Sequence, residues 1–156
     1  MRQLVQANFP LFATLMFSVA FIAIILRAWH IPITHDEAST FFFYVQPGEW
    51  RPYIAHAYTN NHVLNSALAS LTYRLFGSHP FALRLPNVLS FVFLAWGVYR
   101  LCVNHLRSLS GRFCLLSLTV LTFNLLDFFQ LSRGYGLSLA GMVLGISFLH
   151  DFFESR

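Results

Sequence analysis

The run NFPLFATLMFSVAFIAIILRAW, residues 8–29, is apolar almost throughout and carries a single charge, Arg27, close to its far end. As a helix it would reach about 30 Å at 1.5 Å per residue, the thickness of a hydrocarbon core. The run therefore predicts a first membrane span, with the Arg27 guanidinium snorkelling and the Trp29 indole seated at the interface. It exceeds the apolar core of a usual signal peptide and no small-x-small cleavage pattern follows it, so it reads as an uncleaved anchor.

Composition extends that reading to the whole chain. Of 156 residues, 56% are hydrophobic and 10% charged, and the mean hydropathy is +0.59. A soluble domain of this size has too little interior to hide so much apolar surface. The formal charge of +4 comes from arginine alone, there being no lysine, and the arginines are scattered. A nucleic-acid surface needs a basic stripe, so nucleic acid is excluded as a partner.

Directly after the first run comes Ile33-Thr34-His35-Asp36-Glu37-Ala38-Ser39-Thr40. Thr34 and Glu37 have the spacing of a capping box, which predicts a helix start. Ala38, Phe41, Phe42 and Val45 then fall on one helical face until Pro47-Gly48. Leu64, Leu68, Leu71 and Leu75 recur at helical spacing while Asn65, Ser66, Thr72 and Arg74 take the other faces, a second amphipathic helix with Gly77 as its cap. Residues 81–103, 113–131 and 137–153 supply three further apolar runs. The expected fold is an all-α membrane protein of about four transmembrane helices, with two amphipathic juxtamembrane helices in a first extracytoplasmic loop, residues 30–80.

Arg100, Arg107 and Arg112 around the connection at 104–112 favour the cytoplasm for that connection, and hence a cytoplasmic N-terminus. Cys102 and Cys114 flank it, so no disulfide is expected in that reducing compartment.

Adjacent carboxylates at a membrane surface suggest proton transfer. Glu37 has an alternative in the capping box, and Asp36 gains about 0.3–1 kcal/mol from a helix dipole, so stabilising roles compete with catalytic ones. Arg133 and Asp127 are costly charges in or beside apolar runs and should face inward, paired or wet. Gly134 and Gly136 allow a sharp turn around Arg133. His35, His56 and His62 with Asp36 match no compact ligand spacing, so no metal site is assigned. No cofactor is called for, and a divalent metal is left open. Asn60-Asn61-His62 suits a helix start and could also contact a polar substrate.

Taken in order, His35-Asp36-Glu37-Ala38, Asn60-Asn61-His62 with Leu64, Phe76-Gly77, Leu83-Arg84-Leu85-Pro86-Asn87 and Ser132-Arg133-Gly134-Tyr135-Gly136-Leu137 resemble the N-terminal part of GT-C glycosyltransferases. The likeness is to bacterial members related to protein O-mannosyltransferases and lipid A aminoarabinose transferases. It implies a bacterial inner-membrane enzyme that moves sugar from a polyprenyl-phosphate carrier to an acceptor at the extracytoplasmic face, with inversion. It also implies more spans than this chain carries, which makes the chain look like a fragment. Asp36 maps onto the catalytic base with Glu37 beside it. Arg133 and Arg84 map onto contacts to the lipid phosphate, and Asn61, His62 and Tyr135 are the remaining expected substrate contacts. The competing expectation is a noncatalytic membrane module that binds lipid or a partner subunit.

Overall fold

Prolines, caps and one bend set the helix ends in the computed structural model, which describes residues 2–57 and 61–155. The described residues fold into helices joined by turns and loops, with no strand among them. α1 (Arg2–His30) stops before Pro32. α2 (His35–Thr40) opens on the Thr34–Glu37 capping box and continues through a π-helical turn, Phe41–Val45, to Pro47-Gly48. α3 (Val63–Phe76) ends on Gly77, whose N–H bonds the Tyr73 carbonyl. Asn60, expected to help open α3, lies outside the described residues.

α4 (Pro80–Arg100) starts with proline in its permissive first turn and ends in a second π-helical turn, Leu101–His105. α5 (Leu109–Leu121) and α6 (Phe123–Gln130) follow, then α7 (Tyr135–Glu154). Asn8–His30, Pro80–His105 and Tyr135–Phe153 are long and apolar enough to cross a membrane, and α5 with α6 make a fourth if taken together.

The expected third span, 113–131, is not one helix. α5 and α6 meet at 54°, with Thr122 between them in a non-helical conformation (φ −80°, ψ 99°). Beyond the bend, Phe123 and Asp127, one turn apart, flank Arg27 of α1. The guanidinium lies 4.2 Å from the Phe123 ring centre and 3.6 Å from an Asp127 carboxylate oxygen.

α1, α4, the bent α5–α6 pair and α7 run alternately up and down. Trp29 at the end of α1 meets Phe81 at the start of α4, Phe9 meets Phe113 at the start of α5, and Arg100 pairs with Asp151 near the ends of α4 and α7. α4 is central: its apolar window is 61% buried, against 28% for α1 and 17% for α7. Phe91 of α4 stacks on Phe21 and meets Phe129 edge-on, joining α1, α4 and α6. Leu11, Leu15, Val19, Ile22 and Leu26 form an exposed apolar row along α1.

α3 has two unlike faces, but the polar one packs inward. Asn65, Ser66 and Ser70 are buried, whereas Leu64, Leu71 and Leu75 are exposed. Ser70 donates to the Val45 carbonyl at 3.2 Å and Ser66 to Asn61 at 3.2 Å. The inward face holds partners for hydrogen bonds, and burying hydroxyls there costs little once each is bonded.

Candidate active site

α1 ends with unpaired carbonyls, as every helix does, and here a buried arginine collects them. Arg84, one turn into α4, has no solvent exposure. Its Nη1 donates to the Ala28 and Ile31 carbonyls at 2.8 and 2.7 Å, and its Nη2 to the Pro32 carbonyl at 2.9 Å. Nε and Nη2 also donate to the two Glu37 carboxylate oxygens, each at 2.7 Å. This is the bidentate fork that suits guanidinium to carboxylate. All the N–H groups of the guanidinium are thereby used.

Glu37 is equally occupied. Besides Arg84 it accepts from the Thr34 backbone N–H at 2.9 Å, the Thr34 hydroxyl at 3.0 Å and the Ser132 N–H at 2.8 Å. Burial pushes its carboxyl up, but the bonds from Arg84, Ser132 and Thr34 and the Arg84 charge outweigh that and hold it below its ordinary value of 4.5. A carboxylate depressed on folding contributes stability that is whole above the unfolded pKa and is lost as pH falls through the folded one. Thermal stability in detergent is therefore expected to decline from about pH 4.5 downward. Melting curves across that range check this, and Glu37→Gln should flatten the decline.

The polar layer continues sideways. Asn87, one turn beyond Arg84, donates to Asn65 Oδ1 at 2.6 Å, and Asn65 donates to the Ser132 carbonyl and hydroxyl, both at 3.3 Å. Ser132 thus bonds to Glu37 of α2 and Asn65 of α3, just before the turn that presents Arg133. Gly134 follows with φ +75°, and an added Cβ would stand 2.8 Å from His62 Cβ. At Gly136 a Cβ would meet the Phe128 carbonyl at 2.7 Å. Gly134→Ala should cost about 1–2 kcal/mol from the left-handed backbone alone, more with the clash. A fall in Tm with loss of the Asp36–Arg133 contact is the expected outcome.

Arg133 and Asp36 meet at the edge of this layer, Nη2 to Oδ2 at 3.3 Å, and both side chains are partly exposed. The other Asp36 oxygen is 3.8 Å from His35 Nδ1. Arg133 also lines a cavity of about 370 Å³ with Asn124, Asp127, Phe128, Leu131 and Tyr135. Its Nε is shielded from solvent and has no hydrogen-bond partner among the described residues. Asp127, besides pairing with Arg27, accepts from Gln130 Nε2.

The expected site residues divide accordingly. Asp36, Arg133 and Tyr135 gather at or beside one cavity. His62 meets Tyr135 edge-on at 5.0 Å, and burial pushes its imidazole pKa down. Asn61 turns inward, donating to the Trp50 carbonyl at 3.1 Å and accepting from Ser66. Glu37 and Arg84, expected as a catalytic residue beside Asp36 and as a phosphate contact, are consumed by one another and by the backbone, which leaves Arg84 no donor for a ligand. Among the described residues no three His, Cys, Asp or Glu side chains are grouped to hold a metal. Asn65, Asn87 and Ser132, present in the sequence motifs without an expected role, complete the buried network. The spacing of Arg84 and Asn87, three apart on one helix face, was the available signal.

Comparison with protein-family models, with curated proteins and with solved structures gave no match.

Proposed function

We propose that this chain is a membrane glycosyltransferase, or part of one, that moves a sugar from a polyprenyl-phosphate carrier to an acceptor hydroxyl at the extracytoplasmic face. The observation that carries the reading is the meeting of Asp36 and Arg133, far apart in the sequence, beside a cavity that Arg133 lines with Asn124, Asp127 and Tyr135 at the Trp29 end of the helices. A lone acid supplies proton transfer and a lone arginine supplies phosphate recognition. Together they are the two groups that glycosyl transfer from a phosphate requires.

In this reaction Asp36 takes the proton of the acceptor hydroxyl as its oxygen bonds to the anomeric carbon. The bond from that carbon to the phosphate oxygen breaks, and its electron pair leaves with the carrier phosphate. Arg133 offers its planar fork to the charge that builds there. Tyr135 and Asn124 offer hydrogen bonds to sugar hydroxyls, with His62 behind Tyr135. Glu37 and Arg84 act as positioning residues, since they fix the Ser132 backbone and the start of α2, which carry Arg133 and Asp36. The N-terminus lies in the cytoplasm of a bacterial inner membrane, with Arg100, Arg107 and Arg112 on that side. α2 and α3 lie at the outer interface, the leucine row of α3 towards lipid.

Steady-state transfer in proteoliposomes tests the reading. Arg133→Ala is expected to raise KM for the polyprenyl-phosphate sugar by about tenfold or more, the loss of a charge-assisted fork. An unchanged KM would return Arg133 to a surface ion pair and favour the noncatalytic module.

A further inference from the structure

We infer that Asp36 and Arg133 form a latch which the carrier phosphate opens, so that the base becomes free only when the donor is bound. The inference rests on the function proposed above and adds an order of events to it.

The chain contains its own standard for a satisfied arginine–carboxylate pair. Arg84 meets Glu37 through Nε and Nη2 together, each bond 2.7 Å. Arg133 approaches Asp36 with Nη2 at 3.3 Å, and among the described residues the Nε on the same edge has no hydrogen-bond partner. The second fork is half used. A carboxylate could fill it, as Glu37 does for Arg84, yet Asp36 does not.

Arg133 stands between Asp36 and the cavity it shares with Asn124, Asp127 and Tyr135. A phosphate in that cavity presents two oxygens to the whole fork and replaces one long contact with two short charge-assisted bonds. Its negative charge opposes that of Asp36 across the same guanidinium, so the two anions compete for Arg133. Donor binding therefore loosens the hold of Arg133 on Asp36 at the moment an acceptor proton is to be taken. Without donor the carboxylate stays paired.

The signed consequence is that removing the Asp36 charge helps phosphate bind. The full chain in lipid nanodiscs is titrated with farnesyl phosphate, and with inorganic phosphate as the same oxygens without a chain. Asp36→Asn is expected to tighten both about two- to fivefold, the strength of a part-exposed ion pair. Asp127→Asn, which removes a charge from the same cavity but not from the latch, should change affinity less. Arg133→Lys, which keeps the charge and loses the fork, should weaken binding nearly as much as Arg133→Ala.

Affinity unchanged or lowered in Asp36→Asn, equal tightening in Asp127→Asn, or full binding by Arg133→Lys would overturn the latch. If Arg133→Ala itself binds farnesyl phosphate as well as the native chain, the proposed function fails at its phosphate contact. That outcome is distinct from a latch that fails while Arg133 still binds.

Discussion

Glu37→Gln is expected to destabilise the chain by about 3–5 kcal/mol, because it leaves the Arg84 charge in the interior without its counter-ion. The same loss is expected of Arg84→Met, which strands the Glu37 carboxylate. For an ordinary buried ion pair, replacing both partners by apolar residues restores much of the stability. Here the double variant Glu37→Met with Arg84→Met should stay destabilised. Arg84 also holds the carbonyls of Ala28, Ile31 and Pro32, and Glu37 holds the N–H groups of Thr34 and Ser132. Each of those backbone groups would be left without its partner. Unfolding of the single and double variants by SDS titration in mixed micelles measures the difference. A double variant as stable as the native chain would reduce the clamp to a simple pair.

The capping role of Glu37 could be read from Thr34 three residues before it, because a capping box is local. Its larger role could not, since Arg84 lies 47 residues away and Ser132 lies 95 away. The apolar runs identified helices long enough to cross a membrane, but the run at 113–131 concealed a bend with neither glycine nor proline to announce it. The contacts beyond it, Arg27 with Phe123 and Asp127, are tertiary. In α3 the leucine spacing revealed two unlike faces without saying which one faces the protein. Where partners for Asn65 and Ser70 exist inside, and an apolar surrounding can receive leucine outside, the usual orientation reverses. The π-helical turns after α2 and α4 left no mark in the residue pattern.

Asp36→Asn is expected to abolish transfer while sparing the fold. Asparagine keeps the size and hydrogen-bonding reach of the side chain but cannot accept the acceptor's proton, and general-base catalysis typically contributes about 10²–10⁴-fold. Asp36 is part-exposed and its ion pair is a single 3.3 Å contact, so stability should change by less than about 1 kcal/mol. That separates it from Glu37, its neighbour in sequence, whose substitution should remove the fold before it removes chemistry. The two adjacent carboxylates are thus assigned opposite roles by what surrounds them.

The most direct test is consumption of a polyprenyl-phosphate-linked sugar by the reconstituted chain, native and Asp36→Asn, with farnesyl phosphate binding measured on the same preparations. The expected result is turnover by the native chain and a drop of about 10²–10⁴-fold in the variant, with phosphate binding tightened. Turnover by Asp36→Asn at the native rate would contradict the assignment of Asp36 as the base.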